Sequence, residues 1–499
     1  MVLIEGVLTA LEILADPTIL AFIFLGTVMG LIFGALPGLG GATAIALLIP
    51  LTFGLDPYTA FVLMAAAQGG ATFGGSISAI LINVPGTAPN AATILDGHPL
   101  TQKGQANAAL GASAASSAIG ALIGLGVLVL SLPVIRQVLR LFGSPEFFLM
   151  AVFGLVILAV VTEGPLINGL IAGSIGVLIS FIGMNPVTGG TRYTFGTTYL
   201  LDGLSLIPII IGLFAIGEML KLQSENKTIS AVSSSVGGSA FDGIRETFRN
   251  KVTLFKSAII GTVIGLVPAV GGVVANFIAY MNASQSTTDD NQFGEGDIRG
   301  VIASESANDA KDGGAMIPTI AFGIPGSAVW AVILGAFIVH GFTPGPRLLE
   351  EEMGLIFVII FALIISNVLT STIGILTAEH LSKITNTNIN LIGPPIIGIA
   401  LLGAFIYQLV FLDVVVAALF GIIGYVMILY GISRVSLLIG FVLGPLAEVY
   451  FHQSLQLSGG SYMIFFESYV SLAIVLAIVL SLGYALNDIP GTVCGRTSE

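Results

Sequence analysis

Two short runs carry most of the chemistry this sequence offers. Pro37-Gly38-Leu39-Gly40-Gly41 and Asn83-Val84-Pro85-Gly86-Thr87 both interrupt long apolar stretches. Proline removes a backbone donor and glycine readily leaves helical dihedrals, so each run stops a helix and frees backbone N–H and C=O groups. In lipid such groups are costly; they have to be buried in protein or line a wet cavity. Freed N–H groups at the start of a half-helix suit a carboxylate, and freed carbonyls suit Na⁺. Small polar residues crowd the breaks, among them Thr43, Thr72, Ser76, Ser78 and Thr87.

Both runs recur later in the chain. Gly30 to Gly41 aligns without gaps on Gly261 to Gly272, placing Pro37 on Pro268 and Gly40-Gly41 on Gly271-Gly272. Gly74-Gly75 and the following Asn83-Val84-Pro85-Gly86-Thr87-Ala88 match Gly313-Gly314 and Gly323-Ile324-Pro325-Gly326-Ser327-Ala328. Two ordered pairs at nearly one offset predict an internal duplication, and corresponding helix breaks in two halves point to a transport site near the midplane. The candidate substrate-binding residues are therefore Gly38, Leu39, Gly40, Gly41, Asn83, Pro85, Gly86, Thr87, Gly271, Gly272, Pro325, Gly326 and Ser327. The candidate cation ligands are Thr43, Ser76, Asn83, Asn276, Asn308 and Asp309. Glu305, Asn308 and Asp309 precede the Gly313-Gly314 break, where they can enter the same cavity or stay on a solvated face. Gly30 and Gly34, spaced four apart, read as close-packing positions.

The elements that position these runs are membrane spans. The chain has 499 residues, 55% hydrophobic and 9% charged, with a mean hydropathy of +1.02. Soluble domains carry about 25% charged residues. Ten apolar segments approach or exceed the ~20 residues that cross a bilayer: near 18–35, 106–132, 146–162, 165–183, 205–220, 252–267, 354–377, 389–410, 411–431 and 462–486. Four more stretches, 36–95, 268–282, 314–343 and 433–450, are apolar yet too broken by Gly and Pro for simple helices. The expected fold is an all-α polytopic membrane protein of about 10–12 transmembrane helices in two repeated halves with broken or re-entrant helices. The halves are 1–220 and 257–486, joined by a polar connector at 221–256 and followed by a polar tail at 487–499. Inverted topology is expected, because paired broken helices usually come that way.

Six of the sixteen basic residues fall in 221–256, which the positive-inside rule makes cytoplasmic. Arg136 and Arg140 conflict with that placement unless a span is re-entrant or the pair lies outside. Residues 283–312 read as an acidic loop. Glu146, Glu163, Glu218 and Asp413 read as span ends at the headgroups. The first basic residue is Lys103, so no cleavable signal peptide is expected. A net charge of −12 argues against nucleic acid as a partner. No Walker loop, nucleophile–base pair or HExxH motif occurs, and the four His and the single Cys494 offer no metal-ligand spacing. The chain is thus expected to be neither an enzyme nor a cofactor protein. The apolar spans offer no Lys or Arg to neutralise a bound polyanion; Arg192, in a polar turn, is the nearest candidate. Half-helix N-termini and co-bound cations would then compensate the ligand's charge.

Together these runs resemble the large membrane subunit of the tripartite tricarboxylate transporter family. The resemblance rests on GALPGLGGATAIALLIPLTFGLDP at 34–57, INVPGTAPNAATILDGHPL at 82–100 and SESANDAKDGGAMIPTIAFGIPGSAVWAVILGAFIVHGFTPGP at 304–346, with TRYTFGTTYLLDG at 191–203 and IGLFAIGE at 211–218. It implies uptake of a tri- or dicarboxylate across the cytoplasmic membrane, coupled to Na⁺ or H⁺. It also implies two protein partners, an extracytoplasmic solute-binding protein and a small membrane subunit of about four spans. Two departures stand out: Pro268-Ala269 replaces a second Pro-Gly, and Ser304-Glu305-Ser306-Ala307-Asn308-Asp309 replaces a run like Pro-Glu-Ala-Ala-Asn-Asn. A passive channel or scaffold subunit is the alternative reading.

Overall fold

The computed structural model describes residues 2–161, 166–224, 237–268, 270–287, 292–384 and 389–487. Those residues are almost entirely helical; among them one two-residue ladder, Gly183–Met184 against Thr191–Arg192, is the sole β-structure. A surface helix α1 (Val2–Leu14) precedes α2 (Pro17–Ala35), the half-helix α3 (Gly40–Leu48), α4 (Pro57–Ile82), α5 (Ala91–Gln102) and α6 (Ala106–Leu139). Then come α7 (Ser144–Val161), α8 (Leu166–Ser180) and α9 (Leu206–Ser224), the last with a π-helical middle at Ile211–Ile216. Next come α10 (Ala240–Arg249), α11 (Lys251–Gly265), α12 (Gly271–Ser286), α13 (Ile298–Phe322) and α14 (Ala328–Val339). A short α15 (Pro346–Glu351) leads to α16 (Met353–Ile384), α17 (Ile389–Gln408), α18 (Phe411–Leu429), α19 (Arg434–Leu457) and α20 (Tyr469–Asn487).

Among the described residues eight helices are long and apolar enough to cross a bilayer, and five shorter apolar helices of 10–17 residues accompany them. The chain is an all-α, multi-pass membrane protein. Of the four stretches expected to be broken, 433–450 is not, because α19 runs through Pro445; within 36–95, helix α4 also runs on through Gly69-Gly70 and Gly74-Gly75. The glycines do not break α4 because they are packing surface. A Cβ on Gly30, Gly34 or Gly74 would lie 2.0, 2.1 or 2.5 Å from the carbonyl oxygens of Ala67, Ala71 and Leu31, so α2 and α4 touch backbone to backbone. The residues paired in sequence make the same contacts. Gly261 meets the Ala307 carbonyl, Gly265 that of Lys311 and Gly314 that of Thr262.

The acidic loop expected at 283–312 is mostly helix. Helix α12 runs to Ser286, and from Ile298 onward the chain forms α13, buried along nearly its whole length. Residues 288–291, within the same stretch, lie outside the described residues. The charges of α13 mislead a hydropathy reading because they face protein, not water. Helices distant in sequence pack together: α13 packs on α6 and α4 packs on α16, while α19 lies against α7 and α8, and α9 against α17 and α18. The expected connector is partly structured. Helix α9 runs to Ser224, and α10 packs on α6, with Gly111 against the Ala240 carbonyl. Residues 225–236, and all of the expected C-terminal tail beyond Asn487, lie outside the described residues.

Candidate functional site

Both predicted breaks form. Helix α2 ends at Ala35, and α3 restarts at Gly40 after Gly38, whose φ of +86° admits few residues other than glycine. Helix α11 ends at Gly265, and α12 restarts at Gly271, φ +72°. The second pair of breaks closes alike: α4 ends in left-handed Asn83 and α13 in left-handed Gly323.

Helix α13 lies between the breaks. Glu305, Asn308, Asp309 and Asp312 are spaced i, i+3, i+4 and i+7, so they share one face, and all are buried. Asp312 ties the centre together. It accepts from Gln68 Nε2 of α4 at 2.9 Å, from Trp330 Nε1 of α14 at 3.2 Å and from Lys311 Nζ at 3.3 Å. Two of these partners stand at the half-helix starts. The Gln68 amide oxygen lies 2.2 Å from where a Gly41 Cβ would be, and the Lys311 stem lies 2.3 Å from that of Gly272. Pro89, from the first Pro-Gly loop, also touches Gly272, and its carbonyl accepts from Asn276 at 2.8 Å. One carboxylate therefore links the starts of α3 and α12 to the first turn of α14.

Glu305 is held differently. Its carboxylate accepts from Ser76 Oγ at 2.6 Å, Ser113 Oγ at 3.0 Å, Ser117 Oγ at 3.2 Å and Asn90 Nδ2 at 3.5 Å, and also from Thr93 Oγ1. All five donors come from α4, α5, α6 and the turn before α5. Other buried polar atoms on α13 and on the helices packed against it have no hydrogen-bond partner: Gln68 Oε1, Asn276 Oδ1, both amide atoms of Asn308, Asp309 Oδ2 and Ser116 Oγ. Buried polar groups are normally satisfied, so such a cluster points to ordered water, a ligand or an ion.

The model of the tripartite tricarboxylate transporter TctA family matches residues 20–439. The chain belongs to that family. An uncharacterised 52.8 kDa protein in the TAR-I ttuC' 3' region of Agrobacterium vitis is 32% identical over 487 residues, covering 96% of each chain. An uncharacterised protein in the TAR-II ttuC' 3' region of the same organism is 31% identical over 226 residues, 44% of this chain and 93% of the relative. No solved structure matches.

In this TctA-family chain the sequence-predicted residues divide by location. Asn308 and Asp309 lie on the α13 face, Ser76 bonds Glu305 there and Gly41 meets Gln68, the partner of Asp312, while Gly272 meets the Lys311 stem and Asn276 the Pro89 carbonyl. Gly40 faces the Thr87 methyl at 3.7 Å, and Gly271 faces open space. The others serve the scaffold. Leu39 is fully buried in the apolar core, and Gly38 meets the Leu222 side chain and donates to the Gly86 carbonyl at 3.2 Å. Asn83 is exposed and ends α4. A Cβ on Gly86 would lie 2.1 Å from the Gly34 carbonyl oxygen, and one on Gly326 2.6 Å from the Ala315 Cα, so both glycines pack on backbone. Pro85 and Pro325 sit beside them in the two loops. Thr87 bonds Asn90, Ser327 accepts from the Trp330 amide at 3.4 Å, and Thr43 donates to the Phe214 carbonyl at 3.1 Å.

Three expectations about charge are corrected. A buried cation does exist in the apolar body: Lys311, which hydropathy alone places in a loop. Arg192 is not free for a ligand, because it makes a two-pronged pair with Glu448 at 2.7 and 2.9 Å. Glu146, Glu218 and Asp413 are buried against protein rather than exposed, and they bond Ser468 and Ser471, Arg434, and Tyr199. Glu163 lies outside the described residues. Gln68, Asp312 and Trp330 escaped sequence reasoning altogether. The polar i, i+3, i+4, i+7 spacing from Glu305 to Asp312 was the signal available.

Proposed function

We propose that this chain is the transport-conducting subunit of a secondary-active carboxylate transporter of the cytoplasmic membrane, coupled to Na⁺ or H⁺. It would work with an extracytoplasmic solute-binding protein and a small four-span membrane subunit. The observation that carries the reading is Asp312, which joins the half-helix starts of both halves within one buried polar cluster. Its three acids, Glu305, Asp309 and Asp312, and its one base, Lys311, sum to −3 + 1 = −2 when all are ionised, among buried side chains. Uncompensated charge in such surroundings costs several kcal/mol. A bound cation or proton relieves it, and this supports ion coupling.

We also propose that the two halves are duplicated and inverted. The glycine contacts at paired positions support the duplication. Two ion pairs support the orientation: Arg434, at the start of α19, bonds Glu218 near the end of α9 at 2.8 Å, while Glu448, further along α19, bonds Arg192, which precedes α9. Helices α9 and α19 thus run antiparallel. With the connector cytoplasmic, Ala240 beside Gly111 would set the start of α6 on that side, and its 34 residues would carry Arg136 and Arg140 to the far side. Uptake of labelled citrate and succinate into proteoliposomes of the reconstituted three-component complex, with and without a Na⁺ or H⁺ gradient, tests the function. Gradient-driven accumulation is expected; equilibration without accumulation would favour a channel.

A further inference from the structure

Lys311 is a buried ammonium that forms its ion pair with its own chain neighbour, Asp312. Its stem fills the space in front of Gly272, at the start of α12, where Pro89 of the first Pro-Gly region also arrives. The polar groups around it are unusually free. Gln68 bonds Asp312 through its nitrogen and leaves Oε1 unpartnered; Asn276, one turn beyond Gly272, leaves Oδ1 unpartnered; Asn308, one turn before Asp312, leaves its whole amide unpartnered. An ammonium, an amide N–H pair and a half-helix start are the donors that recognise a carboxylate.

We propose that Lys311 is the residue that receives a carboxylate group of the transported molecule, and that Asp312 holds its place until that group arrives. The inference rests on the carboxylate reading above and names the contact that reading lacks. When substrate enters, its carboxylate takes the Lys311 ammonium with the Asn308 amide, and Asp312 keeps the Gln68 and Trp330 donors that it already has at 2.9 and 3.2 Å. Asp312 therefore exchanges one donor without being left bare, and Lys311 exchanges one carboxylate for another. Substrate competes with an internal anion, so weakening that anion strengthens binding.

The test measures binding of citrate, succinate and acetate to the full chain in lipid nanodiscs by isothermal titration, at low and high Na⁺. Loss of a charge-assisted bond of about 1.5–3 kcal/mol corresponds to roughly 10- to 100-fold in affinity. Asp312→Asn is expected to bind the probes at least about tenfold more tightly. Lys311→Met alone strands Asp312 and could fail to fold, so the double variant K311M/D312N, which removes both charges at nearly constant shape, is the loss-of-binding variant. It is expected to bind at least about tenfold more weakly than the parent, with an unchanged gel-filtration profile. Parent-like affinity in both variants would overturn the inference while leaving the carboxylate reading intact. So would parent-like affinity of the double variant that appears only at high Na⁺, since Lys311 would then stand in for a coupling cation. A parent chain that binds none of the three probes would overturn the carboxylate reading and this inference with it.

Discussion

Glu305 gives the sharpest test of how α13 is held against α4, α5 and α6. Replacing it by Gln or by Ala removes the same charge, so the cost of burying that charge cancels when the two variants are compared. What differs is the acceptor. Gln keeps an oxygen within reach of the hydroxyls of Ser76, Ser113 and Ser117, which lie 2.6, 3.0 and 3.2 Å from one carboxylate oxygen. Ala removes it. Ser76 then retains the Thr72 carbonyl at 3.3 Å, Thr93 retains Ser304 at 3.2 Å and Asn90 retains Ser76 at 2.8 Å. Ser117 also reaches Asp309, whereas Ser113 has no alternative in the described contacts. One stranded donor at roughly 1–3 kcal/mol, with a cavity term of about 1 kcal/mol added, puts Glu305→Ala about 2–4 kcal/mol below Glu305→Gln. Denaturant unfolding of the detergent-solubilised variants, followed by tryptophan fluorescence of Trp330, measures the difference. Equal stability of the two variants would show that Glu305 does not organise this hydroxyl shell.

Further outcomes follow from other contacts. Gly30→Ala puts a methyl 2.0 Å from the Ala67 carbonyl oxygen and should cost about 1–3 kcal/mol, whereas Gly126→Ala, with open space around it on α6, should be neutral or slightly stabilising in the same unfolding assay. Arg434→Gln leaves the buried Glu218 carboxylate to Lys221 at 3.5 Å, and should cost about 1–3 kcal/mol; loss of α19 packing would be read as faster proteolysis in nanodiscs. Asp309→Asn retains shape at the carboxylate whose Oδ2 has no partner, so it should fold normally while flattening the dependence of substrate affinity on Na⁺ or pH. An unchanged dependence would move the coupling site elsewhere.

The helix breaks were legible because proline and glycine act on the backbone wherever they stand: α2 and α11 end, and α3 and α12 restart, beside Pro37 and Pro268. Which glycines face ligand and which face backbone was not legible. Gly86 and Gly326 read as ligand-approach positions, yet each meets main chain from α2 or α13, a distinction that depends on the neighbouring helix. Asn83 read as an ion ligand because amides bind cations. Its place at the helix end was visible in its pairing with Gly323, since Asn and Gly are the residues that tolerate a left-handed helix end. The larger loss was α13. A hydropathy average treats a buried charge as solvated, so Glu305, Asp309, Lys311 and Asp312 pushed a buried helix into an expected loop. Only their helical spacing, set against partners such as Gln68 and Ser113 far away in sequence, reveals that these charges face one another's elements.

The most direct measurement of the account is linkage at the α13 cluster. Citrate affinity of the nanodisc-embedded chain would be titrated at several Na⁺ concentrations and several pH values, and Na⁺ affinity at several citrate concentrations. One of the two ions is expected to strengthen citrate binding, and citrate to strengthen binding of that ion by the same factor. A citrate affinity indifferent to both Na⁺ and pH would contradict it.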